Sequence, residues 1–417
     1  MIKKIISSEF FRASFWVFLA TGALNIGNYI YHLLMGRMLG PELYGVLESV
    51  ISVFYIVSIP FIPLTLVIVK FVSAYKGKND KESISSFYNY MGKKILVYGS
   101  VATLILLFLA PFISSFLHLP NLYFSTLIAL GLFIGLFAVF IKGVLQGLFN
   151  FFALFVSNTI EILSKLIIAI LLVYFGFKAL GAFFALIASF AIGLLIASLF
   201  IRKERFTAVK KFEESREIIK YSVPVLLTSL GLTSLFTTDI ILVRNLFSGV
   251  ESGYYAALSV LGKVIFFGTF PVTMVLFPLI SGRHAGGKEY KNILFIGILL
   301  TLGISVTVVL IYYLMPTIMV NLLFGDKFLN IAPLLGIFGV FIAIYSLCSV
   351  LANFYLSIYK TRIYIFVLGF SILQIILISL FHSSLLQVIS MSILSSTLLL
   401  ITLVLYYPFA IKKEKQV

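Results

Sequence analysis

Charge is what this sequence lacks most. Of its 417 residues only 11% are Asp, Glu, Lys or Arg, against about 25% in ordinary soluble domains. Cysteine is reduced to Cys348, which excludes a disulfide framework, and the four histidines (His32, His118, His284 and His382) stand on separate segments and form no metal-binding or catalytic motif. Acidic residues are scarce as well: 15 against 31 Lys and Arg, for a formal charge of +16. What fills the chain instead is apolar. Hydrophobic residues make up 61% and the mean hydropathy is +1.14, a balance that suits lipid rather than water. No metal, cofactor or catalytic constellation is expected.

A bilayer core needs about 20 mostly apolar residues per helix. Windows of that kind run over 14–36, 44–69, 95–117, 122–145, 154–175, 180–201, 222–247, 254–281, 293–315, 331–353, 363–381 and 385–407, which predicts twelve spans. The tightest join is between the fifth and sixth, with only 176–179 left to turn. Lys and Arg decide orientation, because they are retained on the cytoplasmic side. Twenty-five of the 31 fall in the loops and termini of one side, four on the other and two, Lys165 and Lys263, inside spans. Both termini are therefore expected in the cytoplasm of a multi-pass inner-membrane protein. The excess positive charge faces anionic lipid, so it calls for no nucleic acid. The apolar stretch after Arg12 is longer than a signal-peptide core and is followed by no small-x-small pattern, so no cleavable signal peptide is expected.

The longest polar interruption, 202–221, separates six spans from six and mixes seven basic residues with Glu204, Glu213, Glu214, Glu217 and scattered apolar positions. It reads as an amphipathic cytoplasmic linker between a bundle at 1–201 and a bundle at 222–417, with a solvated linker as the alternative. The halves repeat weakly. Pro63-Leu64-Thr65 in the second span and Pro271-Val272-Thr273 in the eighth are 208 residues apart, each beyond a Glu-and-Tyr turn. Equal, even-numbered halves give parallel repeats related by an axis along the membrane normal, an architecture that suits alternating-access transport. Pro60, Pro63, Pro271 and Pro278 lie in those two spans as either hinges or packing kinks.

Between the first two spans stands Arg37-Met38-Leu39-Gly40-Pro41-Glu42-Leu43-Tyr44-Gly45. Gly40 permits unusual dihedrals, Pro41 suits a helix start and Tyr44 suits the interface, so the string is a tight outer turn. It also resembles the R-x-L-G-P-x-x-Y-G turn of the polysaccharide-exporter, Wzx-like branch of the multidrug/oligosaccharidyl-lipid/polysaccharide flippase superfamily. The resemblance extends over nearly the whole chain through the twelve spans, the six-plus-six division and the central linker. It implies two helical bundles around a cavity lined by the first, second, seventh and eighth spans. The implied activity is movement of a polyprenyl-pyrophosphate-linked glycan from the inner to the outer leaflet. Such families carry cationic residues in the cavity; here the first span departs from that pattern, with Asn25 and Asn28 at mid-depth and no basic residue.

Ionisable groups in or at the ends of spans are Glu48, Glu161, Lys165, Asp239, Arg244 and Lys263. Each costs at least about 2.5–3.5 kcal/mol at the bilayer centre, so each needs a partner or water. Glu161 and Lys165 are spaced for an i,i+4 pair. Lys263 has no acidic neighbour three or four residues away; it is read either as a cavity residue that binds phosphate or as the partner of Asp239 or Glu48. Asp239 and Arg244 are read as a gate or an interfacial pair, and Asn25, Asn28, Thr237 and Thr238 as hydrogen-bonding groups for sugar hydroxyls or between helices. The resulting expectation is a flippase, not an enzyme, acting on a lipid-linked glycan among membrane lipids, with Na⁺ or H⁺ coupling left open. The rivals are a cation-coupled multidrug antiporter of the same superfamily, with Asp239 or Glu161 as its buried carboxylate, and a membrane-embedded glycosyltransferase or polymerase.

Overall fold

The computed structural model describes residues 9–77, 79–202, 216–285 and 289–412, and every regular element among them is helical. The chain opens with α1, Glu9–Val57, which bends at Gly40, where φ is 72° and ψ 176°. Only glycine takes that positive φ at little cost, and Pro41 starts the second arm with no amide to satisfy. This is the tight turn expected from the sequence. After Val57 the helix stops for a turn at Ser58–Pro60, closed by the Ile59 amide on the Ile56 carbonyl at 3.2 Å. Pro60 supplies no amide to carry the helix on. Helix α2, Phe61–Gly77, follows.

Next come α3 (Lys81–Phe116), α4 (Tyr123–Gly147), α5 (Phe151–Leu172) and α6 (Lys178–Ile201). Asp80 caps α3 by accepting the Ser83 amide at 2.9 Å, and Asn150 caps α5 through the Ala153 amide at 3.2 Å. Between α5 and α6 the apolar run Phe151–Ile201 covers 51 residues, roughly 75 Å if straight against about 30 Å of hydrocarbon. It turns at the π-helical Val173–Phe177, with φ of 91° at Gly176 and 51° at Lys178.

The remaining helices are α7 (Arg216–Leu246), α8 (Gly249–Ala285), α9 (Lys291–Leu314), the short α10 (Pro316–Phe324), α11 (Ala332–Ser357), α12 (Tyr364–Leu380) and α13 (Leu385–Lys412). Ten stretches are long and apolar enough to cross a membrane. Dividing Phe151–Ile201 at Gly176, and counting the second arm of α1 with α2 as one span, gives the twelve expected.

The helices form two compact units, one of Met1–Leu39 and Pro60–Ile218, the other of Gly40–Ile59 and Ile219–Val417. The second span is thus divided at Pro60, its first half lying with the second unit. Of the linker expected at 202–221, residues 203–215 lie outside the described residues, and Arg216 onward already forms the first turns of α7.

In the first unit α4 packs against α2, α3 and α6, with Ile141, Val144 and Leu145 meeting Ile68, Val72 and Phe87 in its core. In the second, α11 packs against α8, α9 and α13 with most of its residues buried, leaving a half-buried stripe at Ile337, Val340, Ile344 and Leu347. The fourth span holds the centre of one unit and the tenth the centre of the other, as the expected six-span repeat requires. Neither core is set apart from its surroundings by hydrophobicity, since lipid-side residues such as Phe108 (85% exposed) are as apolar as the interior; close packing and buried hydrogen bonds have to hold these units.

Candidate functional site

The expected intramembrane charges fall into two clusters, one in each unit. In the second unit the second arm of α1 contributes Glu48, α7 contributes Asp239 and α8 contributes Lys263, exposed by 1%, 0% and 5%. The Lys263 ammonium stands 4.5 Å over the Phe236 ring, with Glu48 and Asp239 both within electrostatic reach. Asp239 is further fixed: its Oδ1 accepts the Ile240 amide and its Oδ2 the Tyr255 hydroxyl, each at 2.9 Å. Two carboxylates therefore share one ammonium in the interior, and attraction between unlike charges in a low dielectric offsets their desolvation.

The neighbouring candidates do other things. Thr237 is buried and donates back to the Thr233 carbonyl at 2.7 Å, while Thr238 shares a 2.9 Å bond with Ser234. Asp239 and Arg244 do not act as a pair. Arg244 sits in the last turn of α7, where a cation suits the helix C-terminus. Glu42, at the start of the second arm of α1, is its electrostatic partner, and both side chains close around Gly249 at the start of α8.

Asn25 and Asn28 lie in the first unit, Asn25 exposed and Asn28 half-buried. There the structure gives Glu161 a different partner from the one its spacing suggested. Its Oε2 meets Lys142 Nζ at 2.5 Å, and Lys165 donates instead to Asn28 Oδ1 with its ammonium 4.2 Å over the Tyr31 ring. Tyr31 in turn donates to the Ala182 carbonyl at 2.9 Å. Helix spacing alone does not reveal this, because Lys142 stands on another helix, α4. The signal was present in its surroundings: Ile141 before it and Val144 and Leu145 after it are core residues of α4. Tyr255 was missed for a different reason, since nothing in its position marks it as the donor to a carboxylate 16 residues away.

Of the four candidate hinge prolines, Pro60 stands at the helix break, Pro63 in the first turn of α2, and Pro271 inside the unbroken α8; Pro278 is also within α8, its side chain outside the described residues.

A chain of twelve apolar spans with charges buried in each of two helical units is a multi-pass integral membrane protein, and its fold is that of transporters of the MOP superfamily. An inward-facing multidrug resistance MATE family transporter superposes with a TM-score of 0.72 at 16% identity, covering 93% of this chain and 96% of that one. An outward-facing MATE transporter does so at 0.63 and 18% identity, covering 98% and 96%. By sequence the chain belongs to the polysaccharide biosynthesis protein family, which it matches over residues 10–284. It is also 26% identical over 278 residues to an uncharacterized membrane protein of Methanocaldococcus jannaschii, a match covering 61% of this chain and 63% of that protein, less than two thirds of its length.

Proposed function

We propose that this protein is a flippase of the cytoplasmic membrane that moves a polyprenyl-pyrophosphate-linked oligosaccharide from the inner to the outer leaflet by alternating access, with both termini in the cytoplasm. The observation that carries the reading is the family match over 10–284, which spans both arms of α1 together with α7 and α8 and so takes in every candidate binding residue. The physical problem fits the fold. A glycan pyrophosphate cannot cross hydrocarbon, because each unpaired polar group costs several kcal/mol there, whereas its prenyl tail is already in lipid. A hydrated path open to one leaflet at a time meets that need. In the second unit Lys263 is the cation that neutralises the pyrophosphate, and in the first unit the exposed Asn25 offers an amide to sugar hydroxyls, whereas Asn28 is engaged by Lys165 and Thr237 by Thr233. Arg244, Asp239 and Glu48 set the field around them. An inside-negative potential favours outward movement of an anion by about 2.3 kcal/mol per charge per 100 mV.

The test is export of the lipid-linked glycan in cells that depend on this protein. Lys263→Ala is expected to reduce glycan at the outer face at least tenfold, and Lys263→Arg to retain part of it. Normal export by the Ala variant would remove Lys263 from the mechanism. The two carboxylates that share one ammonium also favour a second reading, a cation-coupled multidrug antiporter in which Asp239 or Glu48 takes up H⁺ or Na⁺. Deletion that abolishes cation-dependent drug resistance and leaves the glycan intact would establish that reading over the first.

A further inference from the structure

The second arm of α1 is the one stretch where the chain leaves the first unit, lies on the second, and returns. Gly40 with its positive φ marks the departure and the turn at Ser58–Pro60 the return. Along its length the arm is seated on the second unit at four places. Glu42 meets Arg244 around Gly249. Tyr44, fully buried, sits in an aromatic socket 5.5 Å from the Phe324 ring and 6.2 Å from that of Phe328. Gly45 crosses Gly253 so closely that a Cβ on it would stand 2.7 Å from the Gly253 amide nitrogen. About one helical turn further, the buried Glu48 lies within electrostatic reach of Lys263.

Beyond the break the same span is fastened to the first unit. A Cβ on Gly147 of α4 would lie 2.6 Å from Val72 of α2, and one on Gly143 would lie 3.1 Å from Ile68. Each half of the span thus has its own glycine-lined seat, and the helix is interrupted between them. A span that served only as a membrane-crossing strut would gain nothing from an interruption that gives up helical hydrogen bonds in lipid, where an unmet backbone group is costly. The seat itself suits repeated release: between apolar helices in a bilayer no hydrophobic force opposes separation, and close packing with one electrostatic contact does the holding.

We propose that the 40–59 arm is a latch that lies on the second unit in one state of the transport cycle and leaves it in the other, turning at Gly40 and Pro60, with the attraction between Glu48 and Lys263 as its catch. Resting on the function proposed above, the anionic head group that reaches Lys263 competes with Glu48 for the ammonium and so frees the latch. Binding of the cargo and opening of the outer side are then one event.

The test uses full-length protein in membrane vesicles. Glu42→Cys with Gly249→Cys is suited to a disulfide, since the Glu42 Cγ lies 3.0 Å from where a Gly249 Cβ would stand and bonded cysteines need Cβ atoms about 3.5–4.5 Å apart. The native Cys348 is fully buried. Oxidation is expected to cut glycan delivery at least tenfold, reductant to restore it, and the single variants to be insensitive to both. Undiminished delivery with the crosslink formed would overturn the latch. A second measurement needs no cargo. Val50→Cys, on the buried face of the arm, is expected to react with a maleimide at least fivefold faster when Glu48→Gln removes the catch; an unchanged rate would overturn the catch. Failure of wild-type vesicles to deliver glycan would overturn the proposed function, while the labelling rates would still decide the latch.

Discussion

In the first unit Lys142 and Glu161 touch at 2.5 Å and Lys165 bonds Asn28, whereas in the second unit Lys263 stands over an aromatic ring in the field of two carboxylates. The first arrangement fixes each charge to a named atom; the second shares one cation among several groups. The balance of charge also differs, two cations with one carboxylate in the first cluster and one cation with two carboxylates in the second. A directly bonded pair resists exchange because parting it leaves a bare charge in a low dielectric. A shared ammonium gives up less when a new anion arrives. On the proposed function, the first cluster holds its bundle together and the second is the one suited to a charged passenger.

The sharpest way to break that assignment is to remove Glu161, which is 7% exposed. Glu161→Ala strands the Lys142 ammonium inside the bundle and is expected to lower stability by about 3 kcal/mol, measured as a shift in the unfolding midpoint in detergent. The double variant Lys142→Met with Glu161→Gln is expected to recover most of that loss and to transport normally. If the neutral pair folds well but transports nothing, the first cluster belongs to the mechanism and the contrast fails.

The sequence carried the class of fold clearly because lipid imposes a strong pattern: length, charge and hydropathy suffice to count spans, and the Gly40-Pro41 turn stands where its residues placed it. It carried the identity of the buried charges and, for Lys263, the two carboxylates near it, but not the partner of Glu161. Glu161 and Lys165 have ideal helical spacing, yet Lys142 on another helix reaches Glu161 first, and spacing along one helix says nothing about what packs across from it. The division of the second span was half visible. Pro60 announces a break, but only packing shows that the two halves have separate seats. The short α10, whose Phe324 helps receive Tyr44, was hidden because nine residues are too few for a span signal.

A smaller effect separates the two carboxylates within the second cluster. Asp239 is anchored by Tyr255, while Glu48 is carried on the arm. Tyr255→Phe removes one donor from a fully buried carboxylate and is expected to cost about 1–3 kcal/mol, read as the same midpoint shift. Its effect on transport should be well below that of Lys263→Ala, because Lys263 keeps both carboxylates. A transport loss equal to that of Lys263→Ala would show that the position of Asp239, not the ammonium, controls the passenger.

The smallest expected effect compares two prolines three residues apart. Pro63 lies in the first turn of α2, where a helix has no internal use for an amide, so Pro63→Ala removes nothing the helix needs. Stability should stay within about 0.5 kcal/mol of wild type and glycan delivery should be unchanged. Pro60 stands in the break itself, and Pro60→Ala on the Pro63→Ala background supplies both amides that a helix running on from Val57 into α2 needs. Joining the two halves of the span would leave stability the same or slightly higher while slowing delivery severalfold. Equal, negligible effects of both variants on delivery would mean that the interruption is a packing kink, and the divided span would lose its claim to a moving part.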